Sequence, residues 1–290
     1  MSRSRNDAIL IWTLRVFTAI AGAIVLLIVG FLIVESIPVL KSVGLSRFFT
    51  DPSWHPARNI SNSDETYGLA PMITGTLISM ALSVLVATPL GVLSAVFCHY
   101  YAPPTIARYY RRLIEVLAGI PSVVYGFWGL MVLVPAIGRI HPPGPSLLAA
   151  VIILIIMIIP TIALMADSSL ANVPPAYLRG AVALGLSRWG TIRHVVFPAA
   201  KSGLFTGVIL ETGRAIGETM AVLMVAGNMV QTPKSIFDPI RTLTANVALE
   251  MAYAMGDHRS ALFVSGLVLL AMIVALVSAA EWIGKGRIYG

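Results

Sequence analysis

Six long apolar stretches separated by polar segments set the pattern of this chain. They run from about Ile9 to Val34, Met72 to Cys98, Leu113 to Ile137, Leu147 to Ala166, Gly203 to Gly227 and Ala261 to Ile283. Each reaches or exceeds the roughly 18 to 20 residues that a helix needs to cross a bilayer. The pattern predicts an all-α polytopic membrane protein with six transmembrane helices. The first stretch follows Arg3 and Arg5 and is too long for a signal-peptide core, so it reads as an uncleaved anchor. Two of the polar segments are longer than turns. Residues 36–71 carry Phe48, Phe49 and Trp54, which suits an interfacial or docking segment. Residues 228–260 contain a run from Leu243 to Met255 that predicts a helix partly re-entering the membrane. There is no tandem repeat or low-complexity tract, and residues 1–290 read as a single transmembrane domain.

Composition agrees with the pattern. Hydrophobic residues make up 57% of the chain, charged ones 11%, and the mean hydropathy is +0.86. The net charge of +7 belongs to loops on the cytoplasmic side rather than to a nucleic-acid partner. With the N-terminus inside, Arg108, Arg111, Arg112, Arg179, Arg188 and Arg193 fall in inner segments, as do Lys285 and Arg287. The outer basic residues, including Lys41, Arg47, Arg58 and Arg139, are balanced by acids such as Asp51, Asp64 and Asp238. Both termini are therefore expected inside. The single cysteine, Cys98, excludes an intrachain disulfide, and the histidines show no ligand spacing, so no metal is expected.

The fifth stretch carries Glu211, Arg214 and Glu218. Continued as one helix, it places all three within about 60° of arc. Charges in a membrane helix are costly, face a protein interior or a water-filled cavity, and mark a pathway. Gly213 and Gly217 fall on the other side, a small-residue face that lets a neighbouring helix approach. In the third stretch, Gly119-Ile120-Pro121-Ser122 predicts a break. That break fits a packing kink, and equally a half-helix whose free N–H groups, starting at Ser122, face an anion. Glu115, four residues after Arg111, reads as its interfacial partner. Tyr125, Phe127 and Trp128 read as packing or interface anchors.

The inner segment 167–202 predicts two short helices separated at Gly185-Leu186-Ser187, with Ser187 capping the second. It resembles the cytoplasmic coupling loop of ABC-importer permeases, whose pattern is Glu-Ala-Ala, three residues, Gly, nine residues, Ile, one residue, Leu, Pro. Gly185 is followed by nine residues and then Val195, Val196, Phe197 and Pro198; Arg179 and Gly180 stand where the pattern has Glu and its first Ala. The resemblance implies that Tyr177, Arg179, Ala181, Ala183, Leu184, Gly185, Ser187 and Pro198 form the contact with a cytoplasmic ATPase.

Three further motifs, Leu117 to Gly126, Gly213 to Val222 and Arg241-Thr242-Leu243-Thr244, resemble the phosphate-specific (Pst-type) ABC permeases, the C-type more than the A-type. The resemblance covers about Trp54 to Ile283. It implies a type I importer permease in a prokaryotic inner or plasma membrane. Its partners would be a second homologous permease, two copies of an ABC ATPase and an external phosphate-binding protein. ATP and Mg would be used by the ATPase; no Gly-x-x-x-x-Gly-Lys-Ser/Thr loop occurs here, and no cofactor is expected on this chain.

The resemblance also makes Arg214 and Glu218 the positions for phosphate transfer, whereas Glu211 rests on the helical face alone. A guanidinium suits phosphate because its planar fork donates paired hydrogen bonds and stays charged. Glu218 is expected to pair with Arg214 at rest, and its carboxylate can accept from the P–OH that sulfate lacks. A static Arg214–Glu218 pair that locks the helix fits the same residues. The function expected is import of inorganic phosphate by alternating access. A permease for sulfate or molybdate, or a scaffold that reports phosphate without carrying it, fits the same sequence. No nucleophile–base pair or metal cluster accompanies the charges, so an enzyme is not expected.

Overall fold

Every apolar stretch is helical in the computed structural model, which describes residues 5–51, 53–56 and 65–288. Arg3, Arg58 and Asp64, and the side chains of Arg5, Lys285 and Arg287, lie outside the described residues. Helix α1 (Arg5–Ser42) is followed by a short α2 (Arg47–Thr50) and a two-stranded hairpin. In the hairpin β1 (Trp54–His55) pairs antiparallel with β2 (Thr66–Tyr67). Helix α3 (Ala70–Val96) ends in a π-helical turn, Phe97–Tyr101, and leads to α4 (Pro104–Ala118). Next come α5 (Ser122–Trp128), a second π turn (Gly129–Leu133), α6 (Val134–Ile140) and α7 (Leu147–Ala171). Two short helices follow, α8 (Pro175–Ala183) and α9 (Arg188–Thr191). A third π turn (Ile192–Val196) carries α9 into α10 (Phe197–Gly217). The chain closes with α11 (Met220–Val225), α12 (Leu243–Glu250) and α13 (Gly256–Ile288).

Among the described residues, six helical segments are long and apolar enough to cross a membrane: Ile9–Ser42, Ala70–Tyr101, Ser122–Ile140, Leu147–Ala171, Arg188–Gly217 and Gly256–Trp282. Two differ from the sequence expectation in ways that matter. The third span starts at Ser122 rather than Leu113, because Gly119-Ile120-Pro121 breaks the helix and leaves α4 as a separate element. Proline at 121 has no N–H to offer the preceding turn, and Tyr125 donates its hydroxyl across the break to the Leu117 carbonyl at 2.8 Å. The fifth span ends at Gly217, ten residues early, where Glu218 turns to an extended conformation and α11 starts afresh. The polar loop between α7 and α9 is also shorter than expected, since Asp167 still belongs to α7, and Lys201 and Ser202 already belong to α10.

Helix α7 is the axis of the bundle. Of its most apolar stretch 61% is buried within the chain, against 0% for α1, which leaves α1 as a peripheral helix. Close approach to α7 relies on small residues. A Cβ on Gly91 of α3 would lie 2.6 Å from Ile162, and one on Gly207 of α10 would lie 3.0 Å from Met165. Helix α1 packs on α13, with Phe31 edge-on to Phe263 at 5.5 Å. At one end of the bundle Val96, Leu170, Val173, Ile192 and Val196 form a cluster where α3, α7 and the third π turn meet, with Leu178 of α8 packed against it. At the other end Phe48, Trp54, Tyr67, Leu69, Leu243 and Leu262 seal the hairpin onto α3, α12 and α13.

Candidate functional site

The two broken spans meet at their breaks. Helix α5 lies against α11, and glycine makes the contact close: a Cβ on Gly126 would sit 2.8 Å from the Ala221 Cα. The fifth-span break is built by its own side chains. Glu218 Oε1 accepts from the Ala221 N–H at 3.1 Å, capping the start of α11. Thr219 donates to the Gly217 carbonyl at 3.2 Å, and Thr244 donates to the Glu218 carbonyl at 3.1 Å. Thr242–Thr244, at the start of α12 in the middle of the 228–260 segment, therefore reaches the break from outside the span. It is also tied to α3, where Thr76 Oγ1 accepts from the Leu243 N–H at 3.1 Å.

The three charges do not form one stripe. Glu211 is 5% exposed and faces α7 near Thr161, with Oε2 lacking a hydrogen-bond partner. Arg214 is exposed, and among the described residues no carboxylate pairs with it. Glu218 lies beyond the helix end, so the helical step no longer sets its direction, and it caps α11 instead of pairing with Arg214. Gly213 and Gly217 border Arg214, and a Cβ on either would meet nothing within 4 Å. The small-residue packing on α7 falls to Gly203 and Gly207 instead, nearly three turns earlier in the helix than the expectation. Ser122 is half-buried at the start of α5, and Phe127 and Trp128 point outward. The arrangement leaves a guanidinium with no ion-paired carboxylate among the described residues, beside a helix break on an open, glycine-lined surface.

The coupling-type loop has the shape expected. Gly185 takes φ +74°, a left-handed conformation that glycine adopts without strain, and it ends α8. Ser187 caps α9, accepting from the Gly190 N–H at 3.1 Å. Tyr177, Arg179, Ala183 and Leu184 are exposed and Ala181 is buried. Pro198 stands in the first turn of α10, directly after the π turn that joins it to α9.

Two side-chain networks escaped the sequence reading. At the hairpin end, Glu250 Oε1 accepts from Arg241 Nη1 at 2.6 Å, and Oε2 accepts from Trp54 Nε1 at 2.8 Å. His258 Nε2 lies 2.9 Å from the same Oε2. Burial pushes the Glu250 carboxyl up, but hydrogen bonds from Trp54, His258 and Arg241, with the Arg241 charge, outweigh it and hold the group below the usual carboxylate range. The network lines an opening of about 450 Å³ that also touches His55, Asn228 and Met229. At the opposite end, Arg111 does not pair with Glu115; Asp167 takes its guanidinium at 2.9 and 3.0 Å. That contact, rather than an i,i+4 pair, ties α4 to α7.

A family model for binding-protein-dependent transport system inner membrane components matches residues 87–288. The chain is 40% identical over 253 residues to a probable ABC transporter permease protein, YqgH, of Bacillus subtilis, covering 86% of this chain and 81% of that one. It is 34% identical over 291 residues to the phosphate transport system permease protein PstC of Mesorhizobium japonicum, covering 91% and 87%. A bacterial alginate ABC transporter, crystallised with a periplasmic protein carrying an alginate pentasaccharide, superposes with a TM-score of 0.66 over 99% of each chain at 13% identity. The inward-facing MetNI methionine transporter gives 0.58 over 76% of this chain and 94% of that one at 19% identity; these two likenesses concern the fold alone. With six spans and a match over most of its length, the chain is a multi-pass inner-membrane protein and belongs to the binding-protein-dependent transport system inner membrane components, the permeases of ABC importers.

Proposed function

We propose that this chain is one permease subunit of an ATP-driven importer of inorganic phosphate. The observation that carries the reading is Arg214: a guanidinium with no ion-paired carboxylate among the described residues, beside the break of the fifth span, on a surface that Gly213 and Gly217 leave open. Several relatives named phosphate transport system permease protein, 32–34% identical over most of the chain, support the choice of cargo. The charge distribution supports placing the α8–α9 end and both termini in the cytoplasm. A second homologous permease completes the pathway on the open face of α10, and a binding protein delivers phosphate at the hairpin end. Two copies of an ATPase dock on the opposite end and hydrolyse ATP with Mg; this chain holds no cofactor. The deciding experiment is ATP-dependent uptake of labelled phosphate by the complete complex in proteoliposomes. Uptake that resists excess sulfate and molybdate is expected; competition by either, or no flux, overturns the reading.

The apolar tip of the coupling loop gives a second measurement. Val182 is 71% exposed and Leu184 82%, in a segment whose backbone turn is already fixed by Gly185. Exposed apolar groups on a polar loop fit a protein partner. Leu184→Asp is expected to lower ATPase stimulation in the assembled complex at least about tenfold, since burying an unpaired carboxylate in such a contact costs well over 1.4 kcal/mol. Thermal stability of the isolated membrane subunit should not change.

A further inference from the structure

We propose that the cleft beneath α4 binds the phosphate group of an anionic phospholipid. The cleft has a volume of about 580 Å³ and is lined by His99, Arg108, Arg111, Arg112 and Glu115, with Cys98 at its buried wall. Arg111 is held in place by the two-point contact with Asp167, to which His99 Nδ1 also comes within 3.3 Å. Arg108 and Arg112 lie one turn apart on the same side of α4, exposed, and neither has a carboxylate partner among the described residues. Three guanidinium groups (Arg108, Arg111, Arg112) thus stand against two carboxylates (Glu115, Asp167), one of which is already committed. The uncommitted cations suit a phosphate oxygen, and the fork of each arginine can donate paired hydrogen bonds to it.

What distinguishes a lipid from a free anion is the face next to the arginines. Ile106, Tyr109, Leu113 and Val116 recur at spacings of three, four and three residues and form one stripe along α4. They are 53%, 66%, 55% and 66% exposed, and among the described residues no other element covers them. A helix with one apolar and one basic exposed face lies in the plane between acyl chains and headgroups. The third face, through Ala107, Ile114 and the Arg111–Asp167 contact, fastens it to the bundle. Inorganic phosphate would use the arginines and leave the stripe without a role, whereas a phospholipid engages both. The inference concerns the lipid-facing surface and does not depend on which solute crosses the membrane.

The test uses the assembled transporter in nanodiscs of phosphatidylcholine with a minor fraction of phosphatidylglycerol, followed by native mass spectrometry of retained lipid. Wild type should hold phosphatidylglycerol in preference to phosphatidylcholine. Arg108→Gln combined with Arg112→Gln should lower that preference by about 30-fold, at roughly 1 kcal/mol for each basic residue. The Arg108→Lys, Arg112→Lys variant should restore most of the preference and separates lost charge from misfolding. Equal retention by wild type and the double glutamine variant overturns the proposal. Displacement of phosphatidylglycerol by millimolar inorganic phosphate would assign the cleft to free phosphate and overturns it too. Shielding of a Leu113→Cys thiol from a lipid-soluble maleimide in the assembled complex would show that the second permease covers the stripe, with the same consequence.

Discussion

Arg214→Ala is expected to reduce ATP-driven phosphate flux by about 100-fold or more while leaving assembly and thermal stability unchanged. A hydrogen bond to a charged group contributes about 1.5–3 kcal/mol, and a two-pronged contact reaches the upper part of that range or beyond. Roughly 2.7 kcal/mol corresponds to a factor of 100. The absence of a stability effect follows from the same geometry. The side chain is exposed and makes no ion pair among the described residues; its charge reaches the buried Glu211 one turn back only through space, so its removal breaks no direct contact, and such changes stay within about 0.5 kcal/mol. Arg214→Lys keeps the charge without the planar fork and should lose about tenfold. Flux by proteoliposomes, with melting of the complex in parallel, separates the possibilities. Near-normal flux in the alanine variant removes Arg214 from the path, and loss of assembly makes it a structural contact with the second permease.

The features legible in the sequence were those that local chemistry dictates. Apolar runs of membrane length marked all six spans, and Gly119-Ile120-Pro121 marked the break before α5, because a missing N–H near a glycine lets the helix end, whereas Pro38, Pro89 and Pro160 stay inside α1, α3 and α7. Ser187 and Gly185 were readable for the same reason: a side-chain cap and a left-handed turn act within a few residues. The fifth-span break was missed because hydrophobicity continues to Gly227 across it. The signal was Gly217-Glu218-Thr219, an acidic residue able to cap Ala221 three positions on. Extending the helix through it made Glu218 a neighbour of Arg214 on paper and turned Gly213 and Gly217 into a packing face.

Partner identity in the ion pairs was illegible on physical grounds. Arg111 has Glu115 four residues away, yet an exposed i,i+4 pair contributes only a few tenths of a kcal/mol. Asp167 offers a two-point contact in a half-buried setting and wins, although it is 56 residues distant. The choice depends on α4 folding back onto the end of α7, which no local pattern encodes. The Trp54–Glu250 contact spans 196 residues and depends likewise on the hairpin closing over α12.

That long-range contact carries the larger stability effect. Glu250 is 7% exposed and satisfies Arg241, Trp54 and His258 at once. Removing one partner of a buried pair leaves the other charge uncompensated and costs about 3–5 kcal/mol. Here the stranded group would be Arg241, which also donates to the Asn228 carbonyl at 2.9 Å and to Asn246 Oδ1 at 3.1 Å. Glu250→Ala should therefore loosen α12, the hairpin and the turn after α11 together. Amide hydrogen exchange in α12 is expected to accelerate at least about 100-fold, the local opening equivalent of roughly 3 kcal/mol. Glu250→Gln keeps an acceptor for Trp54 and should fall between the two. The pH dependence has a definite sign. Because the folded carboxyl lies below its unfolded value, its stabilisation is fully present above about pH 4.3, the ordinary glutamate value. It is lost as the pH falls through the depressed folded value. The melting difference between wild type and Glu250→Ala should hold from neutral pH to about pH 5 and close on further acidification. A difference that persists on acidification well below about pH 4 would show that shape rather than charge at position 250 holds the hairpin down. The consequence for transport is indirect: Thr242 to Thr244 leave this anchored segment to support the Glu218 break, so a loosened α12 should also slow phosphate flux without touching Arg214.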